Sequence, residues 1–331
     1  MLPVAICLVL LLAGCPGGEC EPGWDPVAED LPAPVLAAAA GDGADVFVVG
    51  GGLGVVGIDA LARRWDGEAW STLATGRAET LWWLWPRTST DVWMVGENGL
   101  VLRWDGATFA TIASGTTATL YGVWGTGPDD VWIVGGTVGS AASAPKDVVL
   151  HWDGATLTPD TTRPARDAVL FKVWGSGPND LWIVGDGGTI LHRDATGWRD
   201  DSAAAAVNAS LLTVHGCSAT EVYAVGGRSL VRYDGTAWAP VDGIELASFA
   251  NGVSCGDDAV LVVGNSGVKL RFDRGAEQWI DEQFERPWDT DFHGALVAPG
   301  GQLWAVGGNF LVPPSANYRV GVVGVSGCPR P

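Results

Sequence analysis

The sequence predicts an all-β chain: a seven-bladed β-propeller made of four-stranded antiparallel blades. Three observations predict it. A short apolar block ending in Val-Gly recurs seven times, at 45–50, 91–96, 130–135, 180–185, 221–226, 259–264 and 302–307. Its terminal glycines, from Gly50 to Gly307, are spaced by 46, 39, 50, 41, 38 and 43 residues, the interval of one blade. Finally, 18 Trp stand beside two Met. A repeat explains that excess by setting a large flat side chain at the same place in each unit, between adjoining blades.

Within each unit the elements follow a fixed order. An apolar run comes first: LWWLW at 81–85, LYGVWG at 120–125, LFKVWG at 170–175, LLTVHG at 211–216. A turn such as TGPDD or SGPND follows, and then the Val-Gly block. A third run closes on an Asp turn, as in VLRWDG at 101–106, VLHWDG at 149–154 and LVRYDG at 230–235. A fourth run opens shortly after that Asp, often at an aromatic residue: Trp70, Phe109, Trp198, Trp238, Trp279. Each run is short, β-branched or aromatic, and bounded by turn residues, so each reads as a strand. Asp-Gly between apolar runs signals a hairpin, because both residues tolerate positive φ. Beyond the first twenty residues no strong helical period appears; Ala203–Val207 is the best of a weak set.

The seventh unit shows three strands, around Phe292–Val297, Leu303–Gly307 and Tyr318–Val323, and the sequence stops at 331 before a fourth. Trp24-Asp-Pro-Val27 copies Trp238-Ala-Pro-Val241, the opening of a fourth strand. Residues of about 22–28 are therefore expected to complete the last blade, a non-covalent clasp between chain ends.

Over residues 24–325 the units resemble degenerate kelch repeats. A Gly doublet follows the second strand in four units, and VYAVGGRSLVRYDGTAW at 222–238 carries the pattern most fully. They are also similar to Asp-box propellers, including sialidase-like and photosystem-assembly-factor-like ones, although the Asp-to-Gly spacing mostly departs from that pattern. The VWG-turn-DVW-VG-HWDG order resembles secreted proteins of predatory, social soil bacteria of myxobacterial type. These likenesses imply the fold and an envelope setting, not a task.

At the amino end, the apolar run Val4–Ala13 has the length of a signal-peptide core, too short for a permanent transmembrane helix. Leu12-Ala13-Gly14-Cys15 resembles the lipobox of bacterial lipoproteins, although no Lys or Arg precedes it. The resemblance implies cleavage before Cys15, diacylglycerol on its thiol and acylation of its new amine, an anchor of several chains. The division that follows is 1–14 signal peptide, 15–21 lipidated Cys and tether, 22–331 propeller. Pro16 is unlike the Asp that retains some lipoproteins at the inner membrane, so the expected place is the outer one, facing periplasm or exterior.

Six cysteines are present. Cys7 leaves with the signal and Cys15 takes lipid. Four remain, an even number in an oxidising setting, which allows two disulfides in three pairings. The repeats select among them. Cys20 lies four residues before Trp24, at a hairpin position, and Cys328 follows the third strand of the same blade; a Cys20–Cys328 bridge would replace the missing turn. Cys217 and Cys255 each stand nine residues before a Val-Gly glycine, in neighbouring blades. Their pairing needs Cα atoms within about 7 Å.

Chemistry is poorly represented. A net charge of -19 disfavours nucleic acid. His151 and His192 hold the slot that Arg103, Arg232 and Arg271 fill elsewhere, which makes it a strand-face slot. His215 and His293 are the histidines near the central channel, and two His without clustered carboxylates make no metal site. No cofactor is implied. Asp66, Asp105, Asp153, Asp194, Asp234 and Asp273 repeat as turn residues. No nucleophile elbow and no phosphate cradle is present.

Loop lengths are uneven. Long insertions fall between second and third strands (Gly51–Ala60, Thr137–Lys146, Asn309–Asn317) and between blades (Thr158–Ala168, Arg199–Ser210, Ile280–Asp291). Propeller topology brings both classes to one face, where function on a rigid scaffold is expected. In the last insertion Phe284, Arg286 and Trp288 are residue types that anchor interfaces. The reading is a monomeric cell-envelope lipoprotein, a non-catalytic binding or scaffold module whose loop-rich acidic face meets a protein or glycan. The alternative is a carbohydrate-active propeller enzyme, hydrolase or lyase, using two of the 38 acidic residues.

Overall fold

The structure is a computed structural model and describes residues 23–139, 145–282, 290–310 and 320–326. Seven four-stranded antiparallel sheets follow one another around an axis. The first six run in sequence order from the innermost strand outwards, over 35–72, 81–111, 119–159, 170–200, 213–240 and 250–281. The seventh orders Asp291–Val297, Leu303–Gly308 and Gly321–Ser326 before its outermost strand, Trp24–Leu31 from the amino end. This is the seven-bladed propeller that the repeat predicts, closed by the N-terminal segment.

The closing strand pairs Trp24 with Ser326 and Leu31 with Gly321. It starts later and runs further than 22–28. Its partner strand is Gly321–Ser326, buried along its whole length and running past the expected end at Val323; Tyr318 lies outside the described residues. The first strand of blade 1, Val35–Ala40, is mostly alanine and carries no aromatic signal. The weak helical stretch Ala203–Val207 overlaps a single helical turn, Ser202–Ala205.

Aromatic side chains fill the wedges between blades. The second-strand ring of one blade meets an outer-strand ring of the next: Phe47 with Trp104, Trp93 with Trp152, Trp132 with Trp198, Trp182 with Trp238, Tyr223 with Trp279, and Trp304 with Trp70. Centroid separations of 5.2–6.4 Å suit the edge-to-face geometry aromatic quadrupoles prefer. At the remaining seam, between blades 6 and 7, Leu261 replaces the second-strand ring. Trp24 of the closing strand supplies the aromatic there, 1% exposed.

The first strands carry a second interlock near the plain face. Trp85, Trp124 and Trp174 each lie across the neighbouring blade's first-strand glycine: Gly125, Gly175 and Gly216 respectively. The VWG tripeptide is thus a two-part device. Its Trp reaches the next blade, and its Gly receives the previous blade's Trp.

Candidate functional site

The repeated polar residues are structural. Each Asp-turn carboxylate accepts nearby backbone N–H groups; Asp105 takes Ala107 at 2.9 Å and Thr108 at 2.7 Å, and Asp234 takes Thr236 and Ala237 at 2.8 and 2.9 Å. Those bonds hold the Asp105 and Asp234 carboxyls below the usual range. The acid opening the second strand pairs with the third-strand base: Asp45 with Arg64, Asp91 with Arg103, Asp130 with His151, Asp180 with His192. The His192 ring stacks on Trp182 with centroids 3.6 Å apart, and His151 stacks on Trp132 at 4.2 Å. Both histidines therefore occupy a strand-face slot, as their exchange with arginine predicts.

A different feature gathers chemistry on the axis. In six of the seven innermost strands the register slips by one residue just after the strand starts. The extra residues are Leu36, Trp82, Tyr121, Phe171, Asn251 and His293. A bulge takes a residue out of the ladder, re-aims its side chain and frees its carbonyl. Freed carbonyls need donors, and the neighbouring blades provide them. Lys172 Nζ donates to the Tyr121 carbonyl at 2.8 Å, Thr213 Oγ1 to that of Asn251 at 2.7 Å, and His293 Nδ1–H to that of Leu36 at 2.7 Å.

The bulged rings form one aromatic mouth. Trp82 packs on Tyr121 at 5.1 Å and Tyr121 on Phe171 at 5.4 Å. Trp82 also lies 6.0 Å from His293, which lies 5.9 Å from Phe310. Trp82, Phe171, His293 and Phe310 are half-buried. First strands begin at the end where the long loops emerge, so the mouth opens on the loop-rich face. On that face a shallow groove of about 620 Å³, walled by Arg77, Glu79, Asn98, Ser114 and Pro145, lies between blades 2 and 3.

Lys172 sits beneath the mouth, 3% exposed. Its ammonium faces the Trp83 ring at 4.2 Å, and among the described residues no carboxylate pairs with it. Burial pushes its pKa down to about 7. Burial, and secondarily the charge of Lys172, push His293 down to about 4. A carbonyl only accepts, so the His293 Nδ1 that meets Leu36 carries the proton and the ring is neutral. Towards the plain face the channel holds a cavity of about 280 Å³ between Trp83, Trp124, Trp174, His215 and Leu296. There His215 Nδ1 accepts the Cys255 N–H at 3.0 Å, and burial lowers its pKa to about 4.

Cys217 and Cys255 form a disulfide with Cα atoms 5.1 Å apart, joining blades 5 and 6. Arg274 Nη2 reaches Cys217 Sγ at 2.9 Å and Glu221 at 3.2 Å. Cys217, Cys255 and Glu221 are spaced like metal ligands, but bridged sulfurs have no thiolate to give. Cys15, Cys20 and Cys328 lie outside the described residues, as do Phe284, Arg286 and Trp288. The aromatic mouth and Lys172 are not evident in the sequence. The only signal was an apolar residue breaking the alternation after the leading Leu, in Leu120-Tyr121 and Leu170-Phe171.

Fold and axial mouth define the class: a seven-bladed propeller with an aromatic channel entrance among its longer loops. The sequence matches no protein-family model and no curated protein. Solved structures share the fold. "YCF48 bound to D1 peptide" superposes with a TM-score of 0.66 at 14% identity, over 92% of this chain and 97% of that one. YCF48 from Cyanidioschyzon merolae gives 0.67 at 12%, over 92% and 98%. The WD40 repeats of RRP9 give 0.64 at 12%, over 92% and 97%. At such identities the likeness is one of architecture.

Proposed function

We propose that this chain is a non-catalytic binding module of the bacterial cell envelope, anchored by lipid on Cys15, whose loop-rich face holds a protein or glycan. The observation that carries the reading is the channel mouth. Six bulges aim side chains at the axis where no blade seam needs them, and half-buried rings stand ready to cover more apolar surface. A flanking groove enlarges the surface available. The lipobox-like segment and the acidic, exported character of the sequence support the envelope setting. One structure of similar fold is of a protein bound to a peptide, which agrees with a binding role for the architecture.

Photo-crosslinking in intact envelopes tests the reading, with wild type compared to Phe171→Ala and Trp82→Ala. A discrete cross-linked partner that both changes weaken is expected. Polysaccharide turnover lost on changing one carboxylate would overturn it. Intact mass of the mature protein, reduced and non-reduced, tests acylation of Cys15 and counts disulfides in one measurement.

A further inference from the structure

We propose that the channel mouth binds a carboxylate carried on an aromatic or aliphatic group, with Lys172 as its counter-ion. The inference deepens the binding-module reading by naming the ligand's chemistry.

Lys172 is a cation withdrawn from water inside a strongly acidic protein. Such a charge is ordinarily paired. Several other cations of the propeller meet a carboxylate, Arg271 with Glu282 and Arg103 with Asp91 among them. Lys172 has three N–H groups. One goes to the Tyr121 carbonyl, and the ammonium faces Trp83. Neither neutralises it. The remaining donor capacity has no partner among the described residues, and an anion is what would complete it.

The space for Lys172 is built. It crosses blade 3 where the corresponding residue is Gly122, and a Cβ there would lie 2.9 Å from the Lys172 Cα. In register, the same position is Ala37, Trp83, Gly122, Thr213, Gly252 and Gly294 in the other six blades. Small residues at most of these positions leave the axis open, and the lysine enters from one side only.

The mouth also says what the carboxylate is attached to. The rings of Trp82, Tyr121 and Phe171 offer edges and faces, which suit an aromatic or branched aliphatic group. Most polar groups there are already committed: Asn251 Nδ2 bonds the Phe292 carbonyl and Asn265 at 2.8 and 2.6 Å, and His293 Nδ1 holds Leu36, while the Trp82 indole N–H has no partner among the described residues. A polyhydroxylated sugar would find few partners. An apolar acid needs one strong ion pair and rings around it.

The test titrates the purified mature protein with N-acetyl-phenylalanine and with N-acetyl-phenylalaninamide, read by tryptophan fluorescence and calorimetry. Acid and amide are close in size and shape; the acid carries the negative charge, and the amide replaces one acceptor oxygen by an NH2 donor. The acid is expected to bind at least about tenfold more tightly, as a charge-assisted contact should. Lys172→Met, with folding checked by near-UV circular dichroism, should reduce the acid's affinity to that of the amide. Equal affinities in wild type, or saturable binding of neither, would overturn the proposal, and this comparison needs no variant to fold. An acetylated tetrapeptide ending in phenylalanine separates two sources of the same chemistry: tighter binding than N-acetyl-phenylalanine marks a chain terminus, equal binding a free acid. Loss of acid binding with the envelope cross-link intact would remove this inference alone, whereas loss of the cross-link with acid binding intact would remove the envelope reading.

Discussion

The indole of Trp24 donates a hydrogen bond of 2.9 Å to the carboxylate of Glu282, 258 residues further along. Arg271 Nε reaches the same carboxylate at 2.7 Å, and Arg271 is 4% and Glu282 1% exposed. The arrangement follows from a break in the repeat. In blade 6 Ala259 stands where blades 1–5 open their second strand with an acid, so Arg271 turns to Glu282 and Asp273 instead. Glu282 then has an oxygen to spare for Trp24, the aromatic that completes the last seam.

Removing that aromatic should loosen the ring. Trp24→Ala is expected to lower unfolding free energy by about 3–5 kcal/mol, the usual cost of emptying a buried indole site. Trp24→Phe keeps most of the packing and leaves Glu282 on Arg271, so about 1–2 kcal/mol is expected. Glu282→Ala leaves the buried Arg271 with Asp273 as its remaining carboxylate and should cost more than Trp24→Phe. Urea unfolding of the three variants checks the order; Trp24→Ala as stable as wild type would show that the amino-terminal strand does not close the ring.

The Trp-over-Gly interlock makes a steric prediction. A Cβ on Gly175 would lie 2.7 Å from Trp124 Cη2 and 2.5 Å from the Asp180 carbonyl oxygen. Gly175→Ala should therefore cost about 1–3 kcal/mol from overpacking, and it should change the near-UV dichroism of the indoles. Gly177, with nothing within 4 Å of its Cβ position, is the control. Gly177→Ala should stay near neutral in the same melts.

The blade 5–6 disulfide should stabilise chiefly through the unfolded chain. With a sequence separation of 38, the chain-entropy relation gives about 4 kcal/mol. The Cys217→Ala/Cys255→Ala double variant should lose much of that in denaturant titration while keeping the wild-type circular dichroism. Once the bridge is reduced, Arg274 beside Cys217 favours the thiolate. Cys217 should then alkylate faster than Cys255, which mass mapping after a short pulse of iodoacetamide would read.

Mild acid should weaken the fold through two buried histidines. His215 and His293 have folded pKa values near 4, while an unfolded histidine titrates at about 6.5. Between those values the unfolded chain binds more protons than the folded one, so stability falls as pH drops through the window and levels off below it for these two groups. Each contributes about 3 kcal/mol across the window by linkage. For His293 part of the depression is the charge of Lys172. His293→Gln, which can still donate to the Leu36 carbonyl, should therefore flatten the slope of melting temperature against pH between those values. An unchanged slope would place His293 in solvent.

The sequence by itself determined the blade count, the strand order in each blade, the closure by Trp24 and the meaning of the repeated Asp, Arg and His slots. Those are local or periodic properties: a turn needs its Asp within three residues, and a blade seam needs its ring once per repeat. It also placed Cys217 and Cys255 at equivalent positions, which left only their distance to be found. The tertiary structure alone decided the site. Whether the residue after Leu120 or Leu170 joins the ladder or bulges out of it is a balance set by how seven strands crowd one axis, and hydrophobic alternation does not record that balance. What Lys172 meets is likewise invisible along the chain, because the Tyr121 carbonyl and the Trp83 ring belong to two other blades and come together only when the ring closes.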